Sequence, residues 1–181
     1  MGKTTVSQKL ATELNAQYIG ITELVKAKNL IMGIDKERAT LISDTEKVSK
    51  HINAILTNTE CTLIIDGHYA IDTVPCEQVD TVFVLRRDPR ELKKILEKRA
   101  YSEKKIWENL AAEILDVCLF DALSACDKNK VCEINCTNKT IEAIVEDIIL
   151  IVRKKKRCSF GNVDWLGKLE DEGQLEFLNN I

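Results

Sequence analysis

Residues 2–10 read GKTTVSQKL, and an amphipathic pattern begins directly after the Gly-Lys pair. Apolar residues recur every three to four positions, which predicts a helix over residues 3–15. Gly-Lys-Thr is the second half of the phosphate-binding loop GxxxxGK[ST], in which backbone N–H groups at a helix N-terminus hold phosphate oxygens. In that loop Lys3 would reach the outer phosphates and the Thr4 hydroxyl would ligate Mg²⁺. The start of the chain therefore predicts a phosphate site.

Three short apolar runs further along the chain predict the strands of a sheet. They are Cys61–Ile65, Thr81–Leu85 and Val131–Asn135, and polar residues bound each of them. Runs of this kind suit parallel strands that helices cover on both faces. Helical patterns separate the runs, so we predict an α/β fold with a parallel sheet in three layers.

The helices between these strands have recognisable ends. Asp44 can cap one helix, and Asp88, followed by a proline, can cap another that extends to about Arg99. After a polar stretch, the apolar spacing predicts one long helix over about 106–123 and a last long helix over 141–152. Residues 29–43 are less regular.

The composition restricts the class of protein. The chain has 181 residues, of which 45% are hydrophobic and 30% charged, and this suits one globular domain with a full core. The net charge of −3 provides no overall positive field that would attract nucleic acid. No apolar run approaches the roughly 20 residues that a bilayer requires, and the polar start has no signal-peptide core. We expect a cytoplasmic protein with no membrane partner.

Seven cysteines are numerous for this length, but their spacing does not indicate a metal site. No two of them form a Cys-x-x-Cys pair, and the two histidines lie far from any close pair of cysteines. The odd number argues against a disulfide framework. We predict that most of the cysteines are small buried apolar residues in a reducing compartment.

A second chemical signal, Asp66-Gly67-His68, follows the first apolar run. An aspartate at the end of a buried strand is typical of a Walker B element, whose carboxylate orients Mg²⁺. The carboxyl end of a strand is also where open α/β sheets bind ligands. The alternative is that Asp66 is an ordinary turn residue. His68 either positions a water or a phosphate, or is a loop residue without a role.

A third signal is the charged segment 99–109 between two predicted helices. Arg99, Lys104 and Lys105 could close over a triphosphate and neutralise the charge that develops during phosphoryl transfer. Alternatively, the segment is an exposed helix face that Glu–Lys pairs stabilise.

With these three segments in this order, the chain resembles the adenylate kinase isoenzyme 6 family. Its members are small nucleoside-monophosphate kinases that also act in maturation of the small ribosomal subunit. The resemblance covers nearly all of residues 2–150 and rests on GKTTVSQKLA, IIDGH, VLRRDPREL and KRAYSEKKIWENLAAEILDV. The last stretch is the most specific because it matches the family's short lid. The tail GNVDWLGKLEDEGQLEFL is similar to that of the archaeal members.

The resemblance implies an organisation and a set of site residues. A P-loop kinase domain would span residues 1–152, with the monophosphate-binding region at about 21–44 and the lid at 98–108. A basic segment and tail would follow at 153–181. The matching catalytic residues are Lys3, Asp66, His68 and Arg99. The residues that match the ATP site are Gly2, Lys3, Thr4, Thr5, Arg99 and Lys139, with Lys139 beside the adenine. Thr4 and Asp66 would hold Mg²⁺ directly or indirectly. Arg38 or Arg86 would hold the acceptor phosphate, and spacing does not choose between them.

The chain departs from the family at its beginning. Family members have a strand and the first half of the glycine loop before the Gly-Lys pair, whereas Met1 stands in that place here. By resemblance that strand is the centre of the sheet, so we expect the natural protein to begin earlier. A chain that begins at Met1 is expected to fold poorly and to bind ATP weakly, because neighbouring strands would lack hydrogen-bond partners.

The resemblance implies transfer of the terminal phosphate of ATP to AMP or another nucleoside monophosphate, with ATPase activity and a role in 16S rRNA maturation. Its partners would be a ribosomal protein of the small-subunit platform and the pre-ribosome. One alternative is an ATPase assembly factor with little kinase role, for which His68 would favour water as the acceptor. Another alternative is a non-catalytic scaffold.

Two features of the C-terminal segment complete the pattern. The basic run Arg153–Arg157 either contacts RNA or an acidic partner, or merely complements a helix dipole. The apolar residues of the tail are expected to pack on the domain's own surface, because exposed aromatic side chains are unfavourable. They are Val163, Trp165, Leu166, Leu169, Leu175, Phe177 and Leu178.

Overall fold

The computed structural model describes residues 2–35, 40–174 and 177, and the packing of the chain divides it into two compact units, Gly2–Asp80 and Thr81–Ile181. The elements of the first unit are α1 (Lys3–Leu14), β1 (Gln17–Gly20), α2 (Ile21–Ala27), β2 (Ile31–Asp35), β3 (Thr40–Ser43), α3 (Thr45–Thr57), β4 (Leu63–Asp66) and α4 (Ala70–Thr73). Those of the second unit are β5 (Val82–Arg86), α5 (Pro89–Lys98), α6 (Glu103–Ile114), α7 (Val117–Ala125), β6 (Val131–Asn135), α8 (Ile141–Val152) and α9 (Trp165–Asp171).

Each unit contains one pair of parallel strands. β1 pairs with β4, and Gly20 lies opposite Asp66 at the carboxyl end of the pair. β5 pairs with β6, and Arg86 lies opposite Asn135. β2 and β3 form an antiparallel hairpin. The predicted α/β class and parallel pairing are confirmed, but within the described residues the strands form separate two-stranded sheets rather than one continuous sheet.

Local signals set most helix ends. The Asp44 carboxylate accepts a hydrogen bond from the backbone N–H of Lys47 at 3.1 Å, and so caps α3 as predicted. Asp88 caps α5 in the same way through the N–H of Arg90 at 2.9 Å. The prediction of one long helix over 106–123 is wrong. Asp116 adopts the left-handed conformation at φ 57°, which separates α6 from α7.

The core of the first unit lies along α2 and α3. Ile21 and Val25 of α2 pack with Val48 and Ile52 of α3, and Val74 joins this cluster. Full burial of such a side chain contributes about 1.5–3 kcal/mol. This packing holds α2 and α3, which flank the β2–β3 hairpin, in the region predicted to bind the monophosphate.

The core of the second unit joins α5, α6 and the tail. Leu92 and Leu96 of α5 pack against Ile106 and Leu110 of α6. A neighbouring cluster comprises Ile114, Val163, Trp165 and Leu169, and the ring of Phe177 lies 5.2 Å from that of Trp107. The tail therefore packs on its own unit, as predicted, although Leu166 is exposed rather than packed. Leu175 and Leu178 lie outside the described residues.

The cysteine prediction is wrong in two respects: two cysteines form a disulfide, and only Cys126, Cys132 and Cys136 of the seven are buried. Cys132 and Cys158 form a disulfide between β6 and the segment that follows α8. Cys126 and Cys136 are buried thiols, as expected, but Cys61 and Cys118 are exposed. The pairing is between residues 26 positions apart and depends on the tertiary fold, so their spacing alone did not reveal it. In the part of the chain that the structure describes, we find no helix long and apolar enough to cross a membrane.

Candidate active site

The predicted phosphate site begins at the N-terminus of α1. Gly2 precedes the helix at φ 84°, a conformation that glycine adopts without strain. Buried Val6 and Leu10 anchor the helix, whereas Thr4 and Thr5 are exposed. Among the described residues, no side chain caps this helix and its first turn contains no acidic residue. Its N–H groups and the positive end of its dipole are therefore open to an anion.

The strand-end aspartate meets the first turn of this helix. The Thr4 hydroxyl donates a hydrogen bond to Asp66 Oδ2 at 2.8 Å, although the two residues are 62 positions apart. The structure thus brings together a hydroxyl and a carboxylate, which are hard oxygen ligands of the kind that Mg²⁺ prefers. It also places two of the sequence-predicted residues, from different motifs, in direct contact.

Tyr18 is a further member of this cluster that sequence reasoning missed. Its hydroxyl lies 3.4 Å from Asp66 Oδ2 and 3.3 Å from Glu23 Oε2. Burial and the charges of Asp66 and Glu23 raise its pKa to about 12, so the hydroxyl keeps its proton and donates to the carboxylates. A Cβ on Gly20 would lie 1.6 Å from Glu23 Oε2, so a larger residue there would displace the Glu23 carboxylate from the cluster. The only signal in the sequence was the apolar stretch 18–20 itself.

His68 follows Asp66 on the loop after β4, and its ring centroid lies 3.9 Å from that of Tyr69. The surrounding protein atoms lower the pKa of His68 by desolvation, and the positive charge of Lys3 lowers it further. The imidazole is therefore neutral at pH 7 and can accept a proton. Lys3 and His68 act on each other electrostatically, as members of one site would.

The predicted lid, residues 98–108, begins at the last residue of α5 and includes the connection 99–102 and the first half of α6. Arg99 is the exposed residue that ends α5, and Ala100 follows it at φ 54°. Ser102 caps α6 through the N–H of Lys105. The guanidinium of Arg99 is on the surface of the second unit, where an anion can reach it.

Lys139 lies in the loop after β6. Its ammonium group donates to Asp147 of α8 at 2.8 Å, and Lys156 contacts the same carboxylate. Thr137 of this loop accepts a hydrogen bond from the N–H of Asp88 at 2.9 Å, and the N–H of Asn138 donates to Glu91 at 3.1 Å. The loop predicted to lie beside the adenine is thus attached to the N-terminal turn of α5.

Arg86 occupies a different environment from the one predicted for an acceptor-phosphate ligand. Its side chain is only 2% exposed. It donates to Glu113 at 2.8 Å and to Glu133 at 2.7 Å, and it also contacts Asp116. An arginine enclosed by three carboxylates is not open to a phosphate. Arg38, the other candidate, lies outside the described residues.

An uncapped helix N-terminus that meets a strand-end aspartate is the arrangement expected of a P-loop phosphate site. Comparison with known proteins agrees: a family model described as an AAA domain matches residues 1–116. A relative from Methanocaldococcus jannaschii is 42% identical, covering 97% of this chain and 93% of its own length. Relatives from Methanococcus maripaludis and Saccharolobus islandicus are 36% and 32% identical, covering 92% and 100% of this chain and 90% of their own lengths.

All three relatives bear the name "Putative adenylate kinase". The chain belongs to this archaeal family, and the resemblance identified from the sequence is confirmed. Its α/β fold is that of the P-loop nucleoside-monophosphate kinases.

Proposed function

We propose that this protein is a nucleoside-monophosphate kinase that transfers the terminal phosphate of ATP to AMP or to another nucleoside monophosphate. The names of its relatives and the matching AAA domain support nucleotide kinase activity. The observation that carries the proposal is the 2.8 Å hydrogen bond between Thr4 and Asp66, formed where Lys3 begins α1.

The residues present fit a magnesium ion. Thr4 and Asp66 offer a hydroxyl and a carboxylate, and Mg²⁺ in phosphate sites is held by one or two such protein oxygens together with phosphate oxygens. When bound, the ion would neutralise charge on the outer phosphates of ATP. The Tyr18 hydroxyl lies 3.4 Å from the same Asp66 oxygen that accepts the hydrogen bond from Thr4.

The protein residues supply position and charge. The N–H groups of the first turn of α1 bind phosphate oxygens, and Lys3 adds a positive charge beside them. The family resemblance implies a further positive charge from Arg99 of the lid, and closure of the lid would exclude water. Gly2 and Thr5 belong to the same phosphate-binding turn, Lys139 marks the adenine loop, and Arg38 is the remaining candidate for the acceptor phosphate.

ATP hydrolysis is a second candidate activity, which the neutral state of His68 favours. An imidazole with a lowered pKa can accept a proton from a water molecule that replaces the monophosphate. Such an ATPase would suit an assembly factor in the cytoplasm that contacts a small-subunit ribosomal protein and the pre-ribosome in 16S rRNA maturation. The family resemblance supports this role.

ADP formation from Mg-ATP, measured with and without AMP, tests both candidates. We expect Lys3→Met and Asp66→Asn to reduce AMP-dependent turnover by about 10²–10³-fold. The matched controls are Lys26→Met and Asp80→Asn, which change exposed residues of the same unit and should leave turnover unchanged.

Three results would argue against the kinase proposal or favour one of its alternatives. Unchanged turnover in Lys3→Met and Asp66→Asn would contradict the site. Turnover that does not require AMP and that His68→Ala abolishes would favour the ATPase. If Mg-ATP neither reacts nor shifts the melting temperature, the chain is a scaffold.

A further inference from the structure

A strongly basic surface lies after the last helix of the second unit. Residues Arg153–Arg157 are five consecutive cations, and all five are exposed. Lys156 pairs with Asp147. Within the described part of the chain, the other four have no acidic partner. The whole chain carries a net charge of −3, so this concentration of positive charge is local.

The helix dipole does not account for this run. Cations stabilise a helix C-terminus when they lie in its last turn, and the effect falls off beyond that turn. The last turn of α8 contains no basic residue; the run begins at the capping residue Arg153 and continues away from the helix. Side by side, these like charges repel one another, which is unfavourable unless an external anion binds them.

The run is held in a defined conformation at both ends. Lys154 adopts the left-handed conformation at φ 56°, and the N–H groups of Lys155 and Lys156 both donate to the carbonyl of Leu150. At the other end Cys158 forms the disulfide with Cys132. The Ser159 carbonyl also accepts a hydrogen bond from the N–H of Glu133 at 2.8 Å. A surface that is ordered in advance loses less entropy when it binds.

The exposed aromatic ring of Phe160 lies three residues after the basic run. Phe160 is 37% exposed, although the tail beyond it buries Val163 and Trp165. Cations that track a phosphate backbone, together with a ring on which a base can stack, are the two components of single-strand recognition. An acidic polypeptide would use the cations but not the ring.

We propose that residues 153–160 bind single-stranded nucleic acid, with Arg153, Lys154, Lys155 and Arg157 on the phosphates and Phe160 stacked on a base. This surface is independent of the kinase proposal, since none of its residues belongs to the phosphate site.

Fluorescence anisotropy with a labelled twelve-nucleotide oligouridylate, from 50 to 200 mM KCl, tests the proposal on the whole chain. Four phosphate contacts predict a slope of about −3 for log K against log salt concentration. The variant R153Q/K154Q/K155Q/R157Q should bind at least about tenfold more weakly at 50 mM, with a slope near zero. The matched control K26Q/K28Q/K50Q/K128Q removes four exposed charges elsewhere and should behave as the unmodified chain.

Phe160→Ala separates stacking from charge. It should weaken binding by about 5- to 150-fold with the salt slope unchanged. The proposal is overturned if the basic-run variant binds like the control, or if Phe160→Ala binds like the unmodified chain. It is also overturned if polyglutamate of equal charge competes as well as the oligonucleotide, since the partner would then be an acidic protein. Lys3→Met should bind the oligonucleotide normally, whatever its kinase activity.

Discussion

Replacing Arg86 by methionine should destabilise the second unit strongly. Arg86 is the cation at the centre of a buried network: Nε and Nη1 donate to Glu113 and Glu133, and Nη2 donates to the carbonyl of Glu113 at 2.8 Å. Methionine fills much of the same space but has no charge, so two buried carboxylates lose their counter-ion. Breaking one buried ion pair by removal of a partner costs about 3–5 kcal/mol. We expect a loss of at least about 4 kcal/mol in the free energy of unfolding at pH 8.

The loss in free energy of unfolding that Arg86→Met causes should be smaller at low pH. Burial already raises the pKa of Glu113, and the favourable charge of Arg86 opposes that effect. Without Arg86, the pKa of Glu113 would lie further above the value of about 4.3 that applies in the unfolded chain. Between these values the folded state binds more protons than the unfolded state. Its stability therefore falls as pH rises, by up to about 1.4 kcal/mol per pH unit and group.

Urea unfolding at pH 5 and pH 8 measures this effect. The only two tryptophans, Trp107 and Trp165, both belong to the second unit, so their fluorescence reports on it. Glu146→Gln alters an exposed carboxylate of α8 and should change stability by less than about 0.5 kcal/mol. Combining Arg86→Met with glutamine at positions 113 and 133 should recover a large part of the loss, because no buried charge is left unpaired.

A loss below about 1 kcal/mol at pH 8, or an equal loss at both pH values, would refute this account of the network. If Arg86→Met instead raises the KM for AMP and leaves the stability unchanged, Arg86 would be assigned to the acceptor-phosphate site.

Further predictions concern the disulfide, the histidine and the tail. Replacing Cys132 and Cys158 together by serine should lower the free energy of unfolding by about 2–4 kcal/mol. If a reductant leaves the melting temperature of the unmodified chain unchanged, the disulfide is contradicted. Because desolvation lowers its pKa, His68 should titrate below pH 6.5 when it is followed by NMR. The free energy of unfolding should then fall as the pH decreases from 6.5 to that midpoint. A midpoint at or above 6.5 would refute this prediction. Trp165→Phe removes the 2.8 Å hydrogen bond to Glu113 and should cost about 1.5–3 kcal/mol in urea unfolding, whereas a cost near zero would show that the indole N–H contributes nothing.

The parts of the fold that sequence reasoning found are those that local chemistry determines. Asp44 and Asp88 cap helices through N–H groups two or three residues away, so the chain segment itself contains the whole interaction. The strand Val131–Asn135 and the helix Ile141–Val152 have the predicted bounds, which the spacing of their apolar residues indicates.

The parts it missed depend on contacts between distant residues. Asp116 breaks the predicted long helix where its carboxylate meets Arg86, 30 positions earlier. Tyr18 joins the candidate site only because β1 pairs with β4 in a register that brings Gly20 opposite Asp66. The sequence could place Thr4 and Asp66 in two separate motifs, but only the fold shows that their side chains touch.

Contacts within the second unit hold the N-terminal part of α5, which precedes the lid predicted at 98–108. Asp88 binds the adenine-loop residue Thr137 through its N–H, and its carboxylate accepts from Arg90 and from Lys168 of the tail. Its hydrogen bond from Arg90 holds the pKa of Asp88 far below its usual value, with Lys168 contributing, so this junction stays charged at physiological pH. The N-terminal half of α5 is consequently attached to the loop and the tail together. The connection 99–102 has no such attachment: Arg99 is exposed and Ala100 carries a positive φ. We therefore expect any movement of the predicted lid to bend the chain at this connection and to leave the base of α5 in place.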